Sequence, residues 1–205
     1  MDSNSKSVYL RFIRQIIYLV LMTLTVVGFW KIGAIYKNLA VLENGIFELL
    51  QSITLVLVSL SFGFQAYRNK EYRPILFLMS MMALTAVIRE QDAYFDALIP
   101  TIGWKWCWIF PLLGITCVIR HRHTIQLQVK TFLVSNTFHM MMTAAFIMIP
   151  VAQCLGHRSF LADMLGIQAH EAILVRRVLE ETIELIAYLT LFLSSIESLF
   201  EFRRK

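Results

Sequence analysis

The chain has 205 residues, of which 58% are hydrophobic and 16% charged, and its mean hydropathy is +0.63. That is more apolar surface than the core of a soluble domain absorbs, so long charge-free runs must face lipid, and at about 20 apolar residues per crossing the length limits the chain to roughly six or seven spans. The net charge is +5, but the basic residues fall in short groups between apolar runs rather than in a stripe with interleaved aromatics, a membrane-topology pattern that excludes a nucleic-acid-binding protein.

The first expected span, 12–34, follows Lys6, Arg11 and Arg14. It is longer than the apolar region of a signal peptide and lacks an A-x-A cleavage site, so it reads as a retained helix. The second, 46–67, opens on Glu43-Asn44-Gly45, and helical spacing puts Asn44, Glu48 and Gln51 on one face, with Asn44 also a candidate cap. The third, 73–95, carries Thr85, Arg89, Asp92 and Asp96 along one stripe, with Glu90 about 100° away around the helix. The fourth, 104–120, starts with Trp104, Trp106 and Trp108 as an interfacial aromatic belt and contains Pro111 and Gly114, which shape a helix rather than act chemically.

The fifth span, 130–152, carries Ser135, His139 and Thr143 at successive i+4 steps. For a straight helix rising from Lys130, about 1.5 Å per residue places His139 roughly 12 Å above the boundary, near the midplane. The stretch 153–173 reads as a longer loop or a surface-lying helix, with Gly156, His157, Arg158, Asp163 and Gly166. The sixth span, 174–199, aligns Arg177, Glu181, Glu184 and Tyr188 on one face, and Glu180 stacks with Glu184. The expected fold is therefore all-α, a polytopic bundle of about six spans forming one domain over 1–205.

Orientation follows from the basic residues. Lys6, Arg11 and Arg14, then Arg68, Lys70 and Arg73, then Arg120, Arg122 and Lys130, and finally Arg203, Arg204 and Lys205 make up 12 of the 19 Lys and Arg, all at alternate ends of the spans. The positive-inside rule then puts both termini in the cytoplasm. Ten of the 14 carboxylates, including Glu43, Asp163 and Glu171, fall at the opposite ends.

Charges inside spans cost about 2.5 to 3.5 kcal/mol each at a helix centre and so face protein or water. Glu48, Arg89, Glu90, Asp92, His139, Glu181 and Glu184 are accordingly expected to line one polar cavity open to the outside, with Gln51 and Tyr188 as partners and Arg89 as counter-charge. Such a cavity binds a cation, a proton or a small polar or lipid-headgroup ligand. A divalent metal ion is the candidate cofactor, with Glu48, Asp92, His139, Glu181 and Glu184 as ligands. A membrane-embedded hydrolase or transferase acting on lipid or isoprenoid substrates is the first alternative, with Glu48, Glu90, Asp92, His139 or Glu184 as general acid or base. A noncatalytic subunit of a larger membrane complex is the second. The bland competitor leaves the terminal carboxylates in water at headgroup level.

Membrane lipid is an expected partner, as is a second copy or a complex subunit. His121 and His123 read as part of a headgroup-facing basic patch. Cys107 and Cys154 are a candidate outer disulfide pair, whereas Cys117 has no counterpart. Taken together, Glu43-Asn44-Gly45-x-x-Glu48-x-x-Gln51, Arg89-Glu90-x-Asp92 and Glu180-Glu181-x-x-Glu184 resemble the acidic motifs of a group of bacterial polytopic inner-membrane proteins. The resemblance implies a bacterial inner-membrane setting and carries no activity with it.

Overall fold

The structure is a computed structural model, and it describes residues 3–36, 45–157, 166 and 169–202. Every regular element among them is helical. In chain order these are α1 (Ser3–Tyr36), α2 (Ile46–Arg68), α3 (Arg73–Glu90), α4 (Asp92–Leu98), a 3-10 turn (Gly103–Trp108), α5 (Ile109–Arg120), α6 (Arg122–Leu133), α7 (Asn136–Phe146), a π-helical turn (Ile147–Ala152), α8 (Gln153–Gly156) and α9 (Ala169–Glu201). Three stretches, Val8–Ile32, Ile46–Arg68 and Val175–Glu201, are each long and apolar enough to cross a membrane. Counting the bent pairs Arg73–Glu90 with Asp92–Leu98 and Ile125–Leu133 with Asn136–Ala152 as one span each brings the number to five.

Helices α2 and α3 form an antiparallel hairpin whose turn chemistry is local. The Asn69 side chain accepts from the backbone N–H groups of Glu71 (3.2 Å) and Tyr72 (3.4 Å), and the Arg73 guanidinium donates to the Ala66 carbonyl (3.1 Å), covering the carbonyl end of α2. Pro74 then stands in the first turn of α3, where its missing N–H costs nothing. Small residues hold the pair close: Ser59 donates to the Ser80 carbonyl (3.0 Å), Ser80 to that of Ser59 (2.8 Å). Hydroxyls exchanged this way satisfy polar groups that lipid leaves unpaired.

Helix α5 returns along α3, with Gly114 so near Leu78 that a Cβ there would lie 2.7 Å from its Cδ1. Helix α9 is the central strut. It packs on α2, α7 and α1, and buries Leu185, Ala187, Tyr188, Ser194, Ser195, Glu197 and Ser198. The main apolar cluster joins Val58, Phe62 and Ala66 of α2, Ile75, Leu76 and Ala83 of α3, Phe132 of α6 and Phe202.

Two bends depart from the straight spans expected. The chain turns 75° between α3 and α4, at Gln91, and 68° between α6 and α7. The second bend occurs because Ser135 takes an extended backbone (φ −80°, ψ 152°) and its hydroxyl caps α7 by accepting from the Phe138 N–H (3.1 Å). The helix that carries His139 therefore starts at Asn136 rather than at residue 130. The expected fourth span is a six-residue 3-10 turn followed by a 12-residue helix. All three cysteines are free thiols, Cys107 buried and Cys154 exposed.

The two ends of the bundle differ in charge. One end gathers Arg14, Arg68, Arg73 and Arg120 and is called the basic end below. The other gathers Glu48, Glu90, Glu181 and Glu184 and is called the acidic end. Helix α1 runs between them, with Arg14 paired to Glu197 near the basic end and Phe29 packed on Phe47 (ring centroids 5.6 Å apart) near the acidic end.

Candidate functional site

The acidic end is built by the first turns of α2, the last turn of α3 and the middle of α9. Gly45 starts α2 in an extended conformation, which places Glu48 in its first turn and Gln51 one turn later, toward α9. On α9 the i, i+4, i+7, i+11 face expected from the sequence is the one that meets α2 and α3. Arg177 lies 3.9 Å from the Glu48 carboxylate. The Gln51 amide donates to the Glu181 carboxylate (3.0 Å) and to its backbone carbonyl (3.1 Å), and the Tyr188 hydroxyl donates to Glu90 (2.6 Å). Arg89 lies 3.4 Å from its neighbour Glu90, and its side chain remains 49% exposed.

Glu184 sits among these groups, 7% exposed, within electrostatic reach of Glu90, Glu181 and Arg89. No hydrogen bond reaches its carboxylate among the described residues. Glu90 and Glu181 in turn both feel Glu48. Four carboxylates thus converge against the guanidinium groups of Arg89 and Arg177. Gln51 is fully buried, and its amide oxygen has no hydrogen-bond donor among the described residues. A buried carbonyl-type oxygen left unpaired costs about 1 to 3 kcal/mol, so the site offers an acceptor as well as excess negative charge.

Not all the expected members assemble here. The bend at Gln91 carries Asp92 off the α3 stripe, and its carboxylate accepts from the Ala93 N–H (2.6 Å) at the start of α4, still within electrostatic reach of Arg89 and Glu90. Asp96 instead accepts from the Trp104 N–H (3.1 Å), pinning the 3-10 turn. His139 belongs to the other end of the molecule. Its Nδ1–H donates to the Ser135 carbonyl (2.7 Å) in the first turn of α7, and that turn is fastened to Glu201. The 17 residues of α9 from Glu184 to Glu201 span about 25 Å, so the imidazole lies roughly 20 Å from the carboxylates. Among the described residues no group of three or more His, Cys, Asp or Glu side chains is placed to hold a metal ion. Glu43, Asn44, Arg158, Asp163, Arg203, Arg204 and Lys205 lie outside the described residues.

Two carboxylates that sequence reasoning passed over carry the basic end. Glu197, completely buried, accepts two hydrogen bonds from the Arg14 guanidinium (3.0 and 2.7 Å) and one from the Tyr18 hydroxyl (3.0 Å), tying α1 to α9. Glu201 accepts from the backbone N–H groups of Asn136 (2.9 Å) and Thr137 (3.0 Å) and from the Thr137 hydroxyl (2.7 Å), so a carboxylate from α9 caps α7. Between them Gln65 donates to the Ser195 carbonyl (2.9 Å) and accepts from Ser198 (2.6 Å). The available signal was an acid inside one apolar run and an arginine with a tyrosine four residues on inside another, each requiring a partner.

No known protein family, curated protein or solved structure matches the chain. The reading of the site therefore rests on its own geometry.

Proposed function

We propose that the protein is a polytopic integral membrane protein that takes up a cation, a proton or a small metal cation, at its acidic end. The observation that carries this reading is Glu184, 7% exposed and without a donor, in company with Glu48, Glu90 and Glu181. Glu184 brings a carboxylate with no hydrogen-bond donor among the described residues into the company of three others, and a largely buried carboxylate is tolerated when a proton or a cation neutralises it. Gln51, with its unpaired oxygen, supplies a neutral ligand of the kind that follows a dehydrated cation.

The arrangement of spans proposed with it is six, with both termini cytoplasmic in a bacterial inner membrane and the acidic end facing outward. Arg14, Arg68, Arg73 and Arg120 at one end support that orientation. The segment 103–120 supports the sixth crossing: six residues of 3-10 helix at about 2.0 Å and twelve of α-helix at about 1.5 Å add up to roughly 30 Å, the thickness of the hydrocarbon layer.

The test is infrared difference spectroscopy of the protein in lipid nanodiscs during titration with acid, Na⁺, K⁺ or Mg²⁺. Carboxylate bands that shift with one of these in the wild type and lose that response in Glu184→Gln support the reading. Bands indifferent to all four, or a response unchanged in the variant, overturn it.

A further inference from the structure

The basic end holds a cleft that the acidic site does not involve. It has a volume of about 570 Å³ and runs between the last turns of α2 and α9, with Phe64, Leu199 and Phe200 along its sides, Gln65 and Ser198 at its floor and Arg68 with Asn69 at its rim. The floor is internally satisfied, since Gln65 and Ser198 bond each other and the Ser195 carbonyl. At the rim Asn69 donates to the Phe202 carbonyl (2.6 Å), but Arg68 is not so engaged. Arg68 has no carboxylate partner among the described residues; its guanidinium instead lies over the Phe64 ring, 5.5 Å from the centroid, and keeps its N–H donors unspent.

The sides differ in character from the rim. Phe64 is 55% exposed, Phe200 50% and Leu199 41%, aromatic and aliphatic surface turned outward beside the last turn of α2. Arg14 lies over the outer wall, 4.6 Å from the Phe200 ring centroid, but is committed to Glu197. An occupant must therefore be apolar over most of its length and carry one anionic group with oxygen acceptors at the membrane boundary. That is the chemistry of a phospholipid acyl chain and its phosphate, and a guanidinium recognises phosphate through paired N–H donors.

We propose that this cleft is a binding site for one anionic phospholipid, its chain along Phe64, Leu199 and Phe200 and its headgroup on Arg68. A headgroup with net negative charge is preferred over a zwitterionic one, because a free arginine at the surface attracts the former and the choline of the latter repels it.

Native mass spectrometry of the purified full chain, released from micelles doped with equal phosphatidylglycerol and phosphatidylcholine, reads the site directly. The wild type is expected to retain one phosphatidylglycerol with about fivefold preference, the value of one arginine near an anionic surface. Arg68→Gln is expected to lose the preference, whereas Leu199→Trp, which fills the cleft and leaves the charge, is expected to lose the bound lipid. Arg120→Gln, at the same end of the bundle but away from the cleft, is the control that keeps both. Equal retention of the two lipids by the wild type, or phosphatidylglycerol held as well by Arg68→Gln, overturns the proposal. So does a bound lipid that persists in Leu199→Trp.

Discussion

Gly103 occupies a backbone position that leaves no room for a side chain. Its φ of +58° lies in the left-handed region, and a Cβ added there would collide with the Asp96 carboxylate. Asp96 is also the group that fastens the 3-10 turn through Trp104. Gly103→Ala should therefore lower stability by about 1 to 2 kcal/mol from the conformation alone, with the collision added, and should release the 3-10 turn. Thermal unfolding in detergent checks this against Gly28→Ala, a mid-helix glycine of α1 with open space around its Cα. That change should be neutral or stabilising by up to about 1 kcal/mol through helix propensity. A Gly103→Ala protein as stable as wild type would show that the turn is not held by this residue.

Helix α1 shows how one element is attached. Its sides are almost wholly exposed, and it meets the bundle through Arg14 and Tyr18 on Glu197 and through Phe29 on Phe47. Removing one member of a buried ion pair costs about 3 to 5 kcal/mol because the other charge is stranded, whereas replacing both with apolar side chains is often close to neutral. Glu197→Gln should thus broaden the distance distribution between spin labels on α1 and α9, and Arg14→Leu with Glu197→Leu should largely restore it. If the single and the double variant broaden equally, the attachment is apolar rather than ionic. Apolar periodicity made α2 and α9 legible: 46–67 was expected and Ile46–Arg68 is observed, while 174–199 lies inside Ala169–Glu201. The faces followed too, since Gln51 meets Glu181 and Tyr188 meets Glu90. Hydropathy reports how apolar a run is and not where it points, which is why the bends at Gln91 and Ser135 were invisible, Asp92 was drawn on the α3 stripe rather than on α4, and His139 was placed beside carboxylates that lie at the other end. Glu197 and Glu201 escaped notice because their partners stand 183 and 64 or 65 residues away.

For the molecule as a whole, the crossing number turns on the segment between Thr101 and His121. Single cysteines at these two positions, in a chain with Cys107, Cys117 and Cys154 replaced by serine, should react with a membrane-impermeant maleimide from opposite sides of oriented vesicles. Labelling from one side only would make 103–120 a re-entrant hairpin and reduce the bundle to five crossings. Whatever that number, the contact between Glu201 and the start of α7 joins segments made at different times. Glu201 leaves the ribosome 64 residues after Thr137, so for the whole of that interval the leading amides of α7 lack the carboxylate that finally receives them. Backbone N–H groups do not rest unpaired in lipid. At the basic end water can serve the front of α7 during synthesis, until the final turn of α9 arrives and its carboxylate takes the place of that water.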